Sequence, residues 1–195
     1  MPAINNSVVF SDLNKRKIKE IKKEPAYSHT RWGDDDLEEI RREVRDFYRK
    51  EQRLNCAYCL NPVTARSAQG AHVEHIVSKS NYPQFMFEPK NLCVACPDCN
   101  EYKSQREAFA DAAMKKNPRR KYPTNIDQYR IYHPHFDDYE NNIKKAGHFY
   151  LEVSPAGGYT IYVCNLNRFS QQFGISEELL NNLRVMAEAE RFHQR

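Results

Sequence analysis

Apolar positions return at helical spacing in one stretch more clearly than anywhere else in the chain. From Asp34 onward, Leu37, Ile40, Val44, Phe47 and Tyr48 recur mostly every three or four residues, and acids crowd the first turn. That spacing predicts an amphipathic helix ending near Arg53, with its acids at the end where the helix dipole favours them. Residues 70–77 and 92–95 are short and strand-like, separated by a turn-rich stretch holding Asn81 and Pro83. After Cys99 the pattern becomes helical again. Tyr102, Phe109, Ala110, Ala113 and Met114 fall on one side and predict a helix that stops before Pro118. Residues 148–153 and 159–166 read as strands, joined by Ser154-Pro155-Ala156-Gly157-Gly158 as a hairpin loop. A last helix opens with Ser176 as its N-cap and carries Leu179, Leu180, Leu183 and Met186 towards Phe192. Residues 1–30 are polar, basic and interrupted by Pro25, and read as an arm that is mobile or orders on binding.

Composition narrows the class. A chain of 195 residues with 40% hydrophobic and 29% charged positions is expected to be globular rather than disordered. The apolar run Val8-Val9-Phe10 stops far short of a membrane span, and the N-terminus lacks the pattern of a signal peptide. The expectation is a cytoplasmic protein with no membrane partner. Net charge is only +4, but six cations lie between Lys15 and Lys23 and five between Lys115 and Lys121. Clustered Lys and Arg fit phosphate binding through counterion release, although solvated surface segments would look the same.

The six cysteines change the picture. In a reducing compartment they point to metal ligation or packing rather than disulfides. Cys56 and Cys59 form one Cys-x-x-Cys pair, and Cys93, Cys96 and Cys99 contain two overlapping ones. Two such knuckles supply four thiolates to a tetrahedral zinc, and a filled four-sulfur shell has no position left for substrate, so the site is structural. Cys56, Cys59, Cys96 and Cys99 are the expected ligands, with Cys93 as a substitute in the second pair. Cys164 stands alone and reads as a small buried hydrophobe.

Between and after the knuckles stand Ala71-His72-Val73-Glu74-His75-Ile76-Val77-Ser78-Lys79-Ser80, then Asn91-Leu92, then Cys99-Asn100-Glu101-Tyr102-Lys103-Ser104. An acid followed by His at a strand end, Asn-Leu in the next strand, and Asn with a downstream Lys opening a helix resemble the HNH endonuclease signature. The cysteines resemble its zinc-stapled, McrA-like branch, and the His-x-Glu-His form is similar to small antiphage HNH nucleases of the Septu type. The core resemblance covers residues 56–104.

The resemblance implies a ββα-metal fold and a set of roles. His75 corresponds to the general base, and an imidazole that titrates near neutrality suits that task. Glu74, where the family usually has Asp, and Asn100 correspond to oxygen ligands of a catalytic Mg²⁺ or Mn²⁺. Asn91 corresponds to the residue that fixes the loop presenting the histidine. Lys103 is expected as a phosphate clamp, and His72, on the same strand face as Glu74, as a further ligand or substrate contact. His133-Pro134-His135 shows no ligand spacing and is expected to be a turn with exposed polar groups. The aromatic stretch 129–139 is expected to pack on the core.

The whole reads as an α+β protein. A 1–30 basic arm precedes a 31–120 nuclease domain with its leading helix, and residues 121–195 form a hairpin-plus-helix extension packing on the core. The expected activity is hydrolysis of DNA phosphodiesters in antiphage defence or restriction, with structural zinc and an ATPase partner. An RNA-cleaving enzyme and a non-catalytic zinc-ribbon module that binds nucleic acid or a partner are the alternatives.

Overall fold

The computed structural model describes residues 4–111 and 121–178, together with residues 180, 181, 184 and 185. The architecture is α+β, with helices packed around two separate two-stranded antiparallel sheets.

The predicted amphipathic helix is α2, Glu38–Glu51, led in by a 3-10 turn over Asp35–Leu37. Leu37, Ile40, Val44 and Tyr48 are fully buried and lie along one face, which packs on strands β1, His72–His75, and β2, Leu92–Ala95. The strands pair antiparallel, with His72 opposite Ala95, Glu74 opposite Cys93 and His75 opposite Leu92. Just past α2, the Gln52 side chain donates to the Val94 carbonyl at 2.8 Å and accepts from its N–H at 2.7 Å. The amide thereby pairs the Val94 N–H, and the Val94 carbonyl also accepts from the Ala57 N–H at 3.0 Å.

Helix α3, Pro97–Lys103, begins with Cys96 at its N-cap and Pro97 in the first turn. It is shorter than predicted. Ser104 adopts a positive φ of 43° and ends it, and Phe109 pairs in an isolated bridge with Tyr129. The apolar periodicity through Phe109 therefore reflects packing onto the aromatic stretch rather than a continuing helix. Ala113, Met114 and the cations 115–120 lie outside the described residues.

Residues 4–30 correct the expectation of an arm. Helix α1, Asp12–Ile21, is capped by Ser11, whose side chain accepts from the Asn14 N–H. Ile4, Val8, Phe10, Ile18 and Ile21 are buried. Long-range polar contacts complete the docking: Glu43 accepts from the Ser11 N–H at 2.7 Å, Glu51 from the Asn6 N–H at 2.7 Å, and the Tyr48 hydroxyl from the Val8 N–H at 3.2 Å. Too few apolar residues, irregularly spaced, gave the sequence pattern nothing periodic to display.

The C-terminal region also departs from prediction. Strands β3, Ile143–Ala146, and β4, Phe149–Glu152, turn at Gly147-His148, with Gly147 at φ +61°. Ser154-Pro155 is not a loop but a helix start. The Ser154 side chain accepts from the Gly157 N–H, and Pro155 occupies the first turn of α4, Pro155–Val163. Residues 159–163 are thus helical, and Cys164 is buried at the C-cap. Gly157 is required by close approach, since a Cβ there would lie 1.8 Å from the Asn142 carbonyl oxygen. Helix α5, Arg168–Phe173, follows. Ser176 accepts from the Leu180 N–H at 2.9 Å, while Leu179, Leu183, Met186 and Phe192 lie outside the described residues. Among the described residues no helix is long and apolar enough to cross a membrane.

Candidate metal centre and adjoining cleft

The first knuckle follows α2 through two residues of positive φ, Arg53 and Leu54, and closes with a third, Leu60. The second is formed by the end of β2 and the first turns of α3. Together they bring Cys56, Cys59, Cys96 and Cys99 close enough that all four sulfurs lie within 4.8 Å of one another. Tetrahedral zinc with Zn–S bonds of ~2.3 Å requires sulfurs ~3.8 Å apart, and Cys59 Sγ and Cys96 Sγ stand 3.8 Å apart. The donor set and its spacing fit zinc. Hydrogen bonds from neighbouring thiols, Cys56 first, hold Cys59 and Cys96 below the ordinary thiol range. Cys93 is not in the cluster. It sits opposite Glu74 in the strand ladder, fully buried, where burial pushes its thiol up.

Two tyrosines of the C-terminal region buttress the first knuckle. Tyr139 donates to the Tyr58 carbonyl at 2.9 Å and Tyr150 to the Cys59 carbonyl at 2.7 Å. Arg168 pairs with Asp98 on α3 at 3.0 Å. The four-sulfur cluster is therefore held from outside the knuckles as well as within.

Beside it opens a cleft of about 470 Å³ whose lining includes His72, Glu74, His75, Lys79, Asn100 and His29. His75 ends β1. Its Nε2 lies 3.0 Å from the Met86 carbonyl oxygen, and a carbonyl only accepts, so Nε2 carries the proton and Nδ1 keeps its lone pair. Trp32 stands edge-on to the imidazole, ring centres 4.6 Å apart. Burial holds His75 well below the ordinary histidine range, with the charge of Lys79 adding to the effect. The ring is thus neutral and oriented, with Nδ1 unprotonated.

Glu74 is anchored through one oxygen. Lys103 Nζ lies 2.5 Å from Oε1, and the Tyr58 hydroxyl donates to the same oxygen at 3.4 Å. Among the described residues these contacts leave Oε2 for a ligand in the cleft. Asn100, one turn into α3, places its amide nitrogen 3.1 Å from His72 Nδ1. The amide nitrogen donates, so Nδ1 accepts, and the Asn100 carbonyl oxygen stays available. Glu74, Asn100 and His72 thus line one cleft, in which Glu74 and Asn100 offer oxygen donors suited to a hard divalent cation.

Lys103 is not where the sequence led us to expect it. Its side chain is 1% exposed, and Nζ also donates to the His75 carbonyl at 2.9 Å. It cannot reach a phosphate in solution; it neutralises Glu74 from inside the protein. Among the described residues, the lysine that lines the cleft is Lys79, four residues after His75, and burial lowers its pKa. Lys79 stood within the motif but carried no distinguishing signal. His29 comes from the segment read as an arm and Trp32 from just beyond it, and nothing in their local sequence marked them.

Asn91 is fully buried. Its Oδ1 accepts from the Val77 N–H at 2.7 Å, and its Nδ2 donates to the Val77 and Phe85 carbonyls, each at 3.0 Å. It ties together both ends of the loop that runs from His75 to Met86. His133 and His135 correct the expectation of exposed polar groups. His133 is buried, and His135 is mostly so, with its Nε2 2.8 Å from the Leu92 carbonyl. Tyr129, Tyr132 and Tyr139 are buried beside them.

Residues 56–106 match the family model described as HNH endonuclease. The matched span opens at the first knuckle, ends just past α3, and contains both strands of the first sheet and all four clustered cysteines. No curated protein matches the chain.

Proposed function

From the HNH endonuclease domain that residues 56–106 carry, we propose that this protein is a metal-dependent endonuclease that hydrolyses DNA phosphodiesters. One observation supports the reading above the rest: a neutral histidine with a fixed proton, a carboxylate and an amide oxygen share one cleft.

His75 Nδ1 takes the proton from the attacking water, while Nε2–H remains on the Met86 carbonyl and keeps the ring from turning. Glu74 Oε2 and the Asn100 oxygen would hold a divalent ion. Mg²⁺ or Mn²⁺ bound there would supply charge stabilisation for the departing 3′ oxygen and orientation of the scissile phosphate. His72 orients Asn100 through its amide and borders the same space. Lys79 takes the phosphate-facing role. Zinc held by Cys56, Cys59, Cys96 and Cys99 would be structural and would tie the start of α3, and with it Asn100, to the first knuckle. Asn91 maintains the loop.

The choice of DNA over RNA, a role in antiphage defence or restriction within the cytoplasm, and a partner ATPase that gates cutting rest on the resemblance to Septu-type nucleases. The test incubates supercoiled plasmid and matched RNA with wild type and His75→Ala, in Mg²⁺, Mn²⁺ or EDTA, after zinc content and folding are shown equal. Metal-dependent nicking of DNA by wild type alone is the expected result. Cutting that survives His75→Ala refutes the mechanism, cutting of RNA alone reassigns the substrate, and DNA binding without cutting favours either a missing activating partner or a zinc-ribbon binding module.

A further inference from the structure

Tyr122 and His133 lie outside the matched residues 56–106, yet a single directed chain of hydrogen bonds runs from them into the catalytic loop. The His135 backbone N–H donates to His133 Nδ1 at 3.3 Å, so His133 carries its proton on Nε2. That nitrogen lies 2.9 Å from the Tyr122 hydroxyl, which accepts from it and gives its own proton to Asn91 Oδ1 at 3.0 Å. The Tyr129 hydroxyl, whose own proton goes to the Pro123 carbonyl at 2.7 Å, also lies against the Tyr122 hydroxyl, and reversing the His133–Tyr122 link would break a bond at its neighbour. The Asn91 amide cannot flip either, because its nitrogen already serves two carbonyls.

What Asn91 holds is the geometry of His75. Its nitrogen binds the Phe85 carbonyl, next in the chain to Met86, whose carbonyl fixes His75 Nε2. Its own backbone carbonyl accepts from the Ile76 N–H at 2.9 Å. A rotation of the Asn91 side chain therefore moves both the residues after His75 and the acceptor that orients its ring. Tyr122 and His133 are packed for the task. Phe85 meets the Tyr122 ring edge-on at 5.1 Å, and Phe136 stacks on His133 at 4.2 Å. Burial pushes the Tyr122 hydroxyl up and His133 well down in pKa, so both stay neutral.

We propose that Tyr122 and His133 are positioning residues for phosphodiester cleavage, a polar relay by which the C-terminal region sets the Asn91 amide and, through it, the orientation of His75. The proposal rests on the nuclease reading for its effect on rate, but not for its effect on structure.

The experiment therefore has two arms. Single-turnover nicking of supercoiled plasmid in Mg²⁺ is measured for wild type, Tyr122→Phe, His133→Leu and His133→Gln, the last keeping an N–H donor. Hydrogen–deuterium exchange of the same proteins is followed over residues 76–87 and over the zinc knuckles. Tyr122→Phe and His133→Leu are expected to lower the cleavage rate about tenfold at unchanged DNA affinity, and to speed exchange about two- to tenfold over residues 76–87. The knuckles stay protected, and His133→Gln recovers most of both effects relative to His133→Leu. Wild-type exchange over residues 76–87 in Tyr122→Phe overturns the relay, and so does a loss confined to DNA affinity. Should the wild type cut nothing by itself, the exchange arm alone decides the relay.

Discussion

Removing the Lys103 ammonium tests the buried arrangement around Glu74 directly. In the native structure Nζ is 2.5 Å from Glu74 Oε1 and 2.9 Å from the His75 carbonyl, with the two side chains 1% and 7% exposed. Lys103→Met keeps the length of the side chain and deletes the charge. It leaves Glu74 as an uncompensated buried carboxylate, a situation that costs about 3–5 kcal/mol when one partner of a buried pair is removed. With a urea slope of about 2 kcal/mol per molar, the unfolding midpoint falls by roughly 2 M. The fluorescence of Trp32, which stands against His75, reports the transition where it matters. The titration is run in zinc-replete buffer, without and with Mg²⁺. Magnesium should raise the variant's midpoint more than the wild type's, because the ion supplies the positive charge that Glu74 has lost. Glu74→Gln added to Lys103→Met should recover much of the stability, since the unpaired charge is then gone. An unchanged midpoint in Lys103→Met, with loss of DNA affinity instead, would show that Lys103 faces substrate after all and refute the reasoning.

Four other consequences are open to measurement. Cys59→Ser leaves three sulfurs at the cluster, so zinc content should fall to background and α3 should lose its protection from proteolysis; retention of zinc would exclude the four-sulfur site. Lys79→Ala should weaken DNA binding and reduce the slope of log affinity against log salt by about 0.9, as for the loss of one phosphate contact; an unchanged slope places Lys79 away from the backbone. Burial lowers His135 to about 4, so between that value and the ordinary ~6.5 the unfolded chain binds a proton that the folded chain refuses. Stability therefore falls as pH drops, by about 2 kcal/mol from pH ~7 to pH ~5 for this group. His135→Gln should flatten that fall in urea midpoints, and an identical fall in the variant would remove His135 from the account. Gly157→Ala drives a methyl into the Asn142 carbonyl and should cost about 1–3 kcal/mol, read as a lowered melting temperature; wild-type melting would mean that α4 can move off the hairpin.

What the sequence determined by itself was local. Leu37, Ile40, Val44 and Tyr48 marked α2 because a helix buries one face at a fixed period, and that period is visible without a partner. The cysteines marked a metal cluster because a knuckle sets its ligands three positions apart, whatever the rest of the chain does. The strands on either side of the turn-rich stretch followed from short apolar runs. Tertiary structure decided whatever depended on a distant partner. Only the strand register turned Cys93 towards Glu74 and away from the cluster. Only the closure of α3 on β1 turned Lys103 inward to a buried carboxylate, and residues 4–30 folded because Glu43, Tyr48 and Glu51 receive their backbone. Residues 159–163 have the composition of a strand, but a Ser-Pro start and a glycine that lets the backbone approach Asn142 make them a helix. His133 became part of a relay for the same reason. Its meaning lies in Tyr122 and Asn91, which meet it through space. Periodicity and ligand spacing are written along the chain, whereas the identity of a buried polar group's partner is settled by packing.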